Sequence, residues 1–273
     1  MYLAINYSPS AARLLASGEI EIDYFKIPNW DWIVEEARRL KPVAVHFTLE
    51  AGNNSLAQVD WEKVGQLAQS TATPYINLHL DARQYYYPDL SVDTTRPAEV
   101  ERVYKIILSD VLRAVKHFGP ERVIIENSPY QGLDGNTMFL CVEAGLITRL
   151  IKETGCGLLL DLSHAIITAK FLAMEPDEYI SQLPVQKVKE MHFAGIHRHQ
   201  TTGLMMDHLS IQAEDWHWLD WALSCIRSGV WNCPWLLAFE YGGVGEPFEW
   251  RSNPEVIAEQ VPKLYQHIKL LNV

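Results

Sequence analysis

The chain has 273 residues, 48% hydrophobic and 21% charged, with 34 Asp+Glu against 23 Lys+Arg and a formal charge of −11. An acidic total argues against a nucleic-acid partner, whose phosphates call for a basic face, and so large a hydrophobic share excludes a disordered chain. No apolar run approaches the roughly 18 residues of a membrane span, and the opening MYLAINYSPSAARLL lacks the basic-then-apolar order of a signal peptide, so a cytoplasmic protein with no membrane partner is expected.

Taken in chain order, Tyr2–Asn6 and Tyr24–Pro28 read as strands, followed by a helical pattern over Trp30–Leu40. Val43–Thr48 is a third strand, Trp61–Gln69 a helix and Tyr75–Leu80 a fourth strand. Pro97–Phe118 then places Val100, Val103, Tyr104, Ile107, Leu108, Val111 and Val115 on one helix face, with Pro97 suited to the first turn and Gly119–Pro120 as the stop. Arg122–Asn127 follows as a strand, Leu140–Glu153 as a helix, and Gly157–Leu162 and Val188–Ala194 as the sixth and seventh strands. Asp215–Arg227, Trp235–Tyr241 and Pro254–Leu271 close the series as helix, strand and helix. Eight strands alternating with helices predict a parallel α/β sheet, and a (β/α)₈ TIM barrel of about 250 residues accounts for the chain as one domain, 1–273. The four cysteines, Cys141, Cys156, Cys225 and Cys233, have no C-x-x-C spacing and read as reduced, mostly buried thiols.

The connections differ by type. Helix-to-strand turns are short, whereas Asp81–Arg96, Ser128–Thr137, Gly195–Glu214 and Gly242–Asn253 are long and follow strands. The C-terminal ends of the strands are therefore the elaborated end, where a barrel of this type carries its active site.

Side-chain alternation sorts each strand into an inner and an outer row. The inner rows end in His46, in Asn77 and His79, in Glu126, in Asp161 with Ser163 and His164 in the turn after it, in His192, and in Glu240. Six consecutive strands ending in an inward His, Asp or Glu point to bound cations, because buried carboxylates are costly unless something pairs them. Imidazole with carboxylate suits Zn²⁺, Mn²⁺ or Fe²⁺, and the ligand supply matches two metals, or three with bridging carboxylates. The loop after the seventh strand contributes His208 as the eighth ligand, preceded by Asp207, while His197 and His199 read as solvated. Glu126, Asp161 and Glu240 are the expected catalytic carboxylates, with Glu126 and Glu240 bridging or anchoring the metals. Asn77, Arg83 and Asp207 are expected on the substrate side, Arg83 for an anionic group. Tyr85-Tyr86-Tyr87-Pro88 lies on a loop long enough to form a lid, and Trp216, Trp218 and Trp221 are spaced to pack against the barrel.

With these residues in place the sequence resembles the xylose-isomerase-like superfamily of metal-dependent TIM barrels, and within it the multinuclear non-haem iron-dependent oxidative enzymes of the methanobactin-biosynthesis type. The resemblance rests on Glu126-Asn127-Ser128, on the run Thr154-Gly-Cys-Gly-Leu-Leu-Leu-Asp161, on His192-Phe-Ala-Gly195, and on His46 and His79 upstream. It implies a two- or three-iron cluster on His46, His79, Glu126, Asp161, His164, His192, His208 and Glu240, activating O₂ to oxidise a peptide, often with a partner protein. Ser163-His164 departs from that family's Asn-Asn and gives the Asp-x-x-His spacing of endonuclease IV-like barrels, an exchange that favours zinc or manganese. Met206-Asp207-His208 shifts the family's Asp-x-His by one position, and Ile196 stands where the family often has a further histidine. A metal-dependent sugar isomerase or phosphoester hydrolase acting on a small molecule is the alternative reading, with Lys26 and Lys170 as the lysines nearest the barrel mouth.

Overall fold

The structure, a computed structural model, describes residues 1–245, 248 and 250–269. Its elements in chain order are β1 (Tyr2–Asn6), α1 (Pro9–Ser17), β2 (Tyr24–Pro28), α2 (Asp31–Ala37), β3 (Val43–His46), β4 (Glu50–Ala51), α3 (Trp61–Ser70), β5 (Ile76–Leu80), α4 (Pro97–Phe118) and β6 (Val123–Glu126). They continue with α5 (Gly132–Gly135), α6 (Ala144–Thr154), β7 (Gly157–Asp161), α7 (Leu162–Phe171), α8 (Pro176–Gln182), β8 (Val188–Phe193), β9 (Gly195–Arg198), β10 (Met205–Leu209), α9 (Ala213–Arg227), β11 (Leu236–Phe239) and a last helix, α10 (Pro254–Lys269). The expected end of that helix at Leu271, and Glu246, Pro247 and Glu249 in the expected loop before it, lie outside the described residues.

The eight expected strands are all present, and α4 has the bounds its periodicity predicts, burying Val103, Tyr104, Ile107, Val111 and Ala114 along one stripe. Four helices were not expected, the shortest being α5, four residues within the expected loop Ser128–Thr137. α1 starts where the Ser8 hydroxyl accepts the N–H of Ala11 at 3.1 Å. In α7, Leu162, Ala165, Ile166, Ile167 and Ala169 are all buried, so the segment has no polar stripe from which to read a helical period. α8 is only seven residues long. Ser163 and His164 therefore stand in the first turn of a helix and not in a free turn, because Asp161 caps α7, its Oδ1 accepting the His164 N–H at 2.8 Å. The stretch Gly195–Glu214 is likewise no open loop: β9 and β10 pair as an antiparallel ribbon.

The chain forms two compact units. One comprises Met1–His46, Thr71–Thr73 and the residues from Lys189 onward; the other comprises Phe47–Ser70 and Pro74–Val188. In the first, the strands lie in the order β3-β2-β1-β11-β8 and every adjacent pair is parallel. Ala4, Ala44, Leu236 and Ala238 form a buried cluster on one face of this sheet, with Tyr24 and Trp235 packed against it. In the second, the order is β7-β6-β5-β4, again parallel. Its strands are buried on both faces, as Val123, Ile124, Ile125, Leu158, Leu159 and Leu160 show.

The loop after β5 is anchored. Leu90 and Val92 are buried, and the buried Tyr87 donates its hydroxyl to the Gly52 carbonyl, while Tyr85 and Tyr86 remain exposed with ring centroids 4.3 Å apart.

Candidate metal centres

In the second unit, register sets His79 beside Glu126 across β5 and β6, and Ile124 beside Gly157 across β6 and β7. Glu126 and Asp161 are thereby placed on one face, both essentially without solvent exposure. His79 Nε2 lies 3.2 Å from Glu126 Oε2. His164 Nε2 lies 3.6 Å from Asp161 Oδ2, and its Nδ1 is 3.9 Å from Glu126 Oε1. One ligand atom each from Glu126, Asp161 and His164 fall within 4.8 Å of one another, close enough to share an ion. Both histidines turn Nδ1 to a backbone carbonyl, His79 to Leu49 at 3.3 Å and His164 to Asn127 at 2.8 Å. Donating there leaves Nε2 as the lone-pair nitrogen facing the carboxylates, the arrangement by which metal-ligating histidines are oriented.

In the first unit, the centre is Glu240, just beyond β11. Its backbone N–H donates to the Phe193 carbonyl at 2.9 Å, tying it to the end of β8. His192 Nδ1 stands 3.2 Å from Glu240 Oε1, and His208 Nδ1 stands 3.7 Å from Oε2 and 3.1 Å from the Glu240 carbonyl. The ring of His46 is 5.1 Å from that of His192. Lys26 reaches the same carboxylate and pairs with Oε1. Burial pushes the Glu240 carboxyl upward, but the charges of Lys26, His192 and His208 outweigh it and hold the group well below the ordinary carboxylate range.

His208 owes its place to a bulge. Between Met206 and Leu209 the ribbon register slips by one residue, and His208 takes a left-handed backbone with φ 58°. Such an extra residue re-aims a side chain, here toward Glu240. Asp207 follows, its Oδ2 3.8 Å from His208 Nε2.

The substrate-side expectations fare differently. The Asn77 amide clamps the backbone of Phe47, accepting its N–H at 2.7 Å and donating to its carbonyl at 3.1 Å. Arg83 is ion-paired with Asp81 through Nε and donates to the Gly135 carbonyl at 3.3 Å. Within the ribbon, His197 Nε2 meets the Ser210 carbonyl at 2.8 Å, and His199 Nδ1 accepts the Thr202 N–H at 3.2 Å.

Two side chains of these sets, Asn127 and Glu190, are given no role by the sequence, and Lys26 is read there only as a lysine near the barrel mouth. Asn127 clamps the end of β7, accepting the Asp161 N–H and donating to the Asp161 carbonyl, both at 2.9 Å. Glu190 meets His192 Nε2, and Lys26 meets Glu240. Glu190 stands two residues before His192 on the inner row, and Lys26 is in register with Ala44, two residues before the inward His46, so alternation and register mark their face.

A family model described as RiPP precursor modification enzyme MbnB/TglH/ChrH matches residues 32–230. A UPF0276 protein of Acaryochloris marina (strain MBIC 11017) is 25% identical over 226 residues, which is 81% of this chain and 74% of that protein. Among solved structures, a D-tagatose 3-epimerase-like protein aligns with a TM-score of 0.58 at 13% identity, over 100% of this chain and 98% of its own. A xylose isomerase domain protein from Planctomyces limnophilus aligns at 0.59 with 9% identity, over 99% and 97%. At such identities the likeness is one of fold, an α/β barrel of the xylose-isomerase-like kind.

Proposed function

The chain belongs to the RiPP precursor modification enzyme family MbnB/TglH/ChrH, and from that premise we propose that it is a metal-dependent barrel enzyme that oxidises a peptide, presented as a precursor with or without a partner protein. The observation that carries this reading is the convergence of Glu126, Asp161 and His164 within 4.8 Å. Buried carboxylates beside imidazole nitrogens make a donor set suited to iron, zinc or manganese, and one that a divalent ion would neutralise. In this reading Glu126, Asp161, His164 and His79 hold metal in the second unit, and His46, His192, His208 and Glu240 hold it in the first, for two or three ions in all.

When bound, iron would supply the O₂-dependent redox chemistry for which protein side chains have no equivalent. The chain's own part is orientation. Asn127 and Leu49 fix the nitrogen that His164 and His79 present, and Asp161 serves both as ligand and as the cap that places His164. The formal charge of −11 keeps nucleic acid outside the proposal.

The deciding experiment is metal analysis of protein purified without oxygen, followed by O₂ uptake and peptide mass after adding a cysteine-containing precursor peptide. Two or three irons per chain and a peptide mass change are expected. Tight zinc or manganese with no O₂ uptake would instead select a metal-dependent isomerase or hydrolase, a reading favoured by the lysine buried beside Glu240.

A further inference from the structure

β2 carries Lys26 into the first unit, in register with Ala44 on one side and Asn6 on the other. The neighbouring positions Ala4, Ala44 and Ala238 are small, which leaves room for its stem. Lys26 is 7% exposed, and its ammonium is paired with Oε1 of Glu240. The two oxygens of Glu240 are therefore unequal. Oε1 faces both Lys26 and, at 3.2 Å, His192 Nδ1, whereas Oε2 faces His208 Nδ1 at 3.7 Å. Lys26 also lies outside residues 32–230, so nothing about it comes from the family match.

We propose that Lys26 is a positioning residue for metal binding, a built-in counter-cation that occupies Oε1 of Glu240 and limits this carboxylate to ligation through Oε2. The inference rests on the reading of the first unit as a metal-binding set. A buried carboxylate without a cation destabilises the fold, so Lys26 sustains the metal-free chain. The same fixed charge repels an incoming cation, so it also weakens the ion's hold. Lys26 thus trades affinity for a fold that stands before metal arrives.

The test uses the full chain, stripped of metal and titrated with Zn²⁺, a redox-silent probe, in the wild type, K26M, K26R and E240Q. K26M is expected to bind the ion that E240Q loses about tenfold more tightly, and its metal-free form to melt at a lower temperature. K26R is expected to stay close to wild type in both measurements, and K26M to change neither once E240Q is present. Equal Zn²⁺ affinity and equal metal-free melting in wild type and K26M would overturn the inference while leaving the metal reading intact; a wild type with no saturable Zn²⁺ binding would overturn both. Should K26M fail to fold without metal, recovery on adding E240Q supports the pairing, and failure to recover overturns it.

Discussion

Glu190 meets His192 Nε2 at 3.0 Å with one carboxylate oxygen and accepts the Trp235 indole N–H at 3.0 Å with the other, so that His192 turns Nδ1 toward Glu240. A carboxylate held from behind by an indole fixes both the tautomer and the ring plane of the imidazole, and such outer partners govern affinity nearly as strongly as the ligands themselves. E190Q should therefore weaken metal binding in the first unit by roughly 10- to 100-fold, and W235F by less, since Glu190 then keeps its bond to His192. Competition with a chromogenic chelator measures this; wild-type affinity in E190Q would remove Glu190 from any role in orienting the histidine.

The second unit makes an independent prediction. Glu126 stands between His79 and His164, so E126Q should lose at least one ion per chain by elemental analysis. N127A, which frees the end of β7 but keeps the backbone carbonyl that meets His164 Nδ1, should lower affinity without abolishing it. Full occupancy in E126Q would exclude that carboxylate as a ligand.

Acid sensitivity follows from Glu240. Its carboxyl is held well below the usual range by Lys26 and the two histidines in spite of burial. A depressed carboxyl contributes stability that is complete above the unfolded value of about 4.3 and is lost as pH falls through the folded value. Metal-free wild type should thus exceed E240Q in urea stability at pH 6, and the gap should close in strong acid, where both side chains are neutral and Lys26 is unpaired in each. A gap independent of pH would show that the pairing does not stabilise the fold.

Cysteine reactivity divides along burial. Burial pushes the Cys141 thiol up to about 12 and the Cys156 thiol up to about 11, whereas Cys233 is exposed. Thiolate is the reacting form, so iodoacetamide at pH 8 should label Cys233 in the native protein and reach Cys141 and Cys156 only after denaturation. Peptide mass mapping at timed intervals reads the order, and early labelling of Cys141 would contradict it.

Much of this arrangement is legible in the sequence because strand alternation is a strict geometric rule. It places Glu126 and Asp161 on one face of the second sheet and His46 and His192 on one face of the first, from period two alone. Where it failed, the local signal was missing. α7 is buried nearly all round and so shows no stripe, and β4 is two residues long. Alternation puts Glu190 in Val-Lys-Glu-Met-His on the face of His192, but nothing in the sequence announces that His192 and Trp235 take up its two oxygens. Lys26 and Glu240 are 214 positions apart, a separation across which no pattern in the chain announces a pair.

Gly195 follows β8 closely and opens the ribbon that returns with His208. A Cβ at this position would sit 1.9 Å from the Ser210 carbonyl oxygen, and Leu209 pairs with Gly195 directly. The missing methyl group is thus what lets the returning strand come close enough to carry its histidine home. A survey of genomes that scored relatives by their ligands alone would count a chain with alanine at 195 as competent. In such a chain every proposed ligand would be spelled correctly while one of them had been moved out of reach.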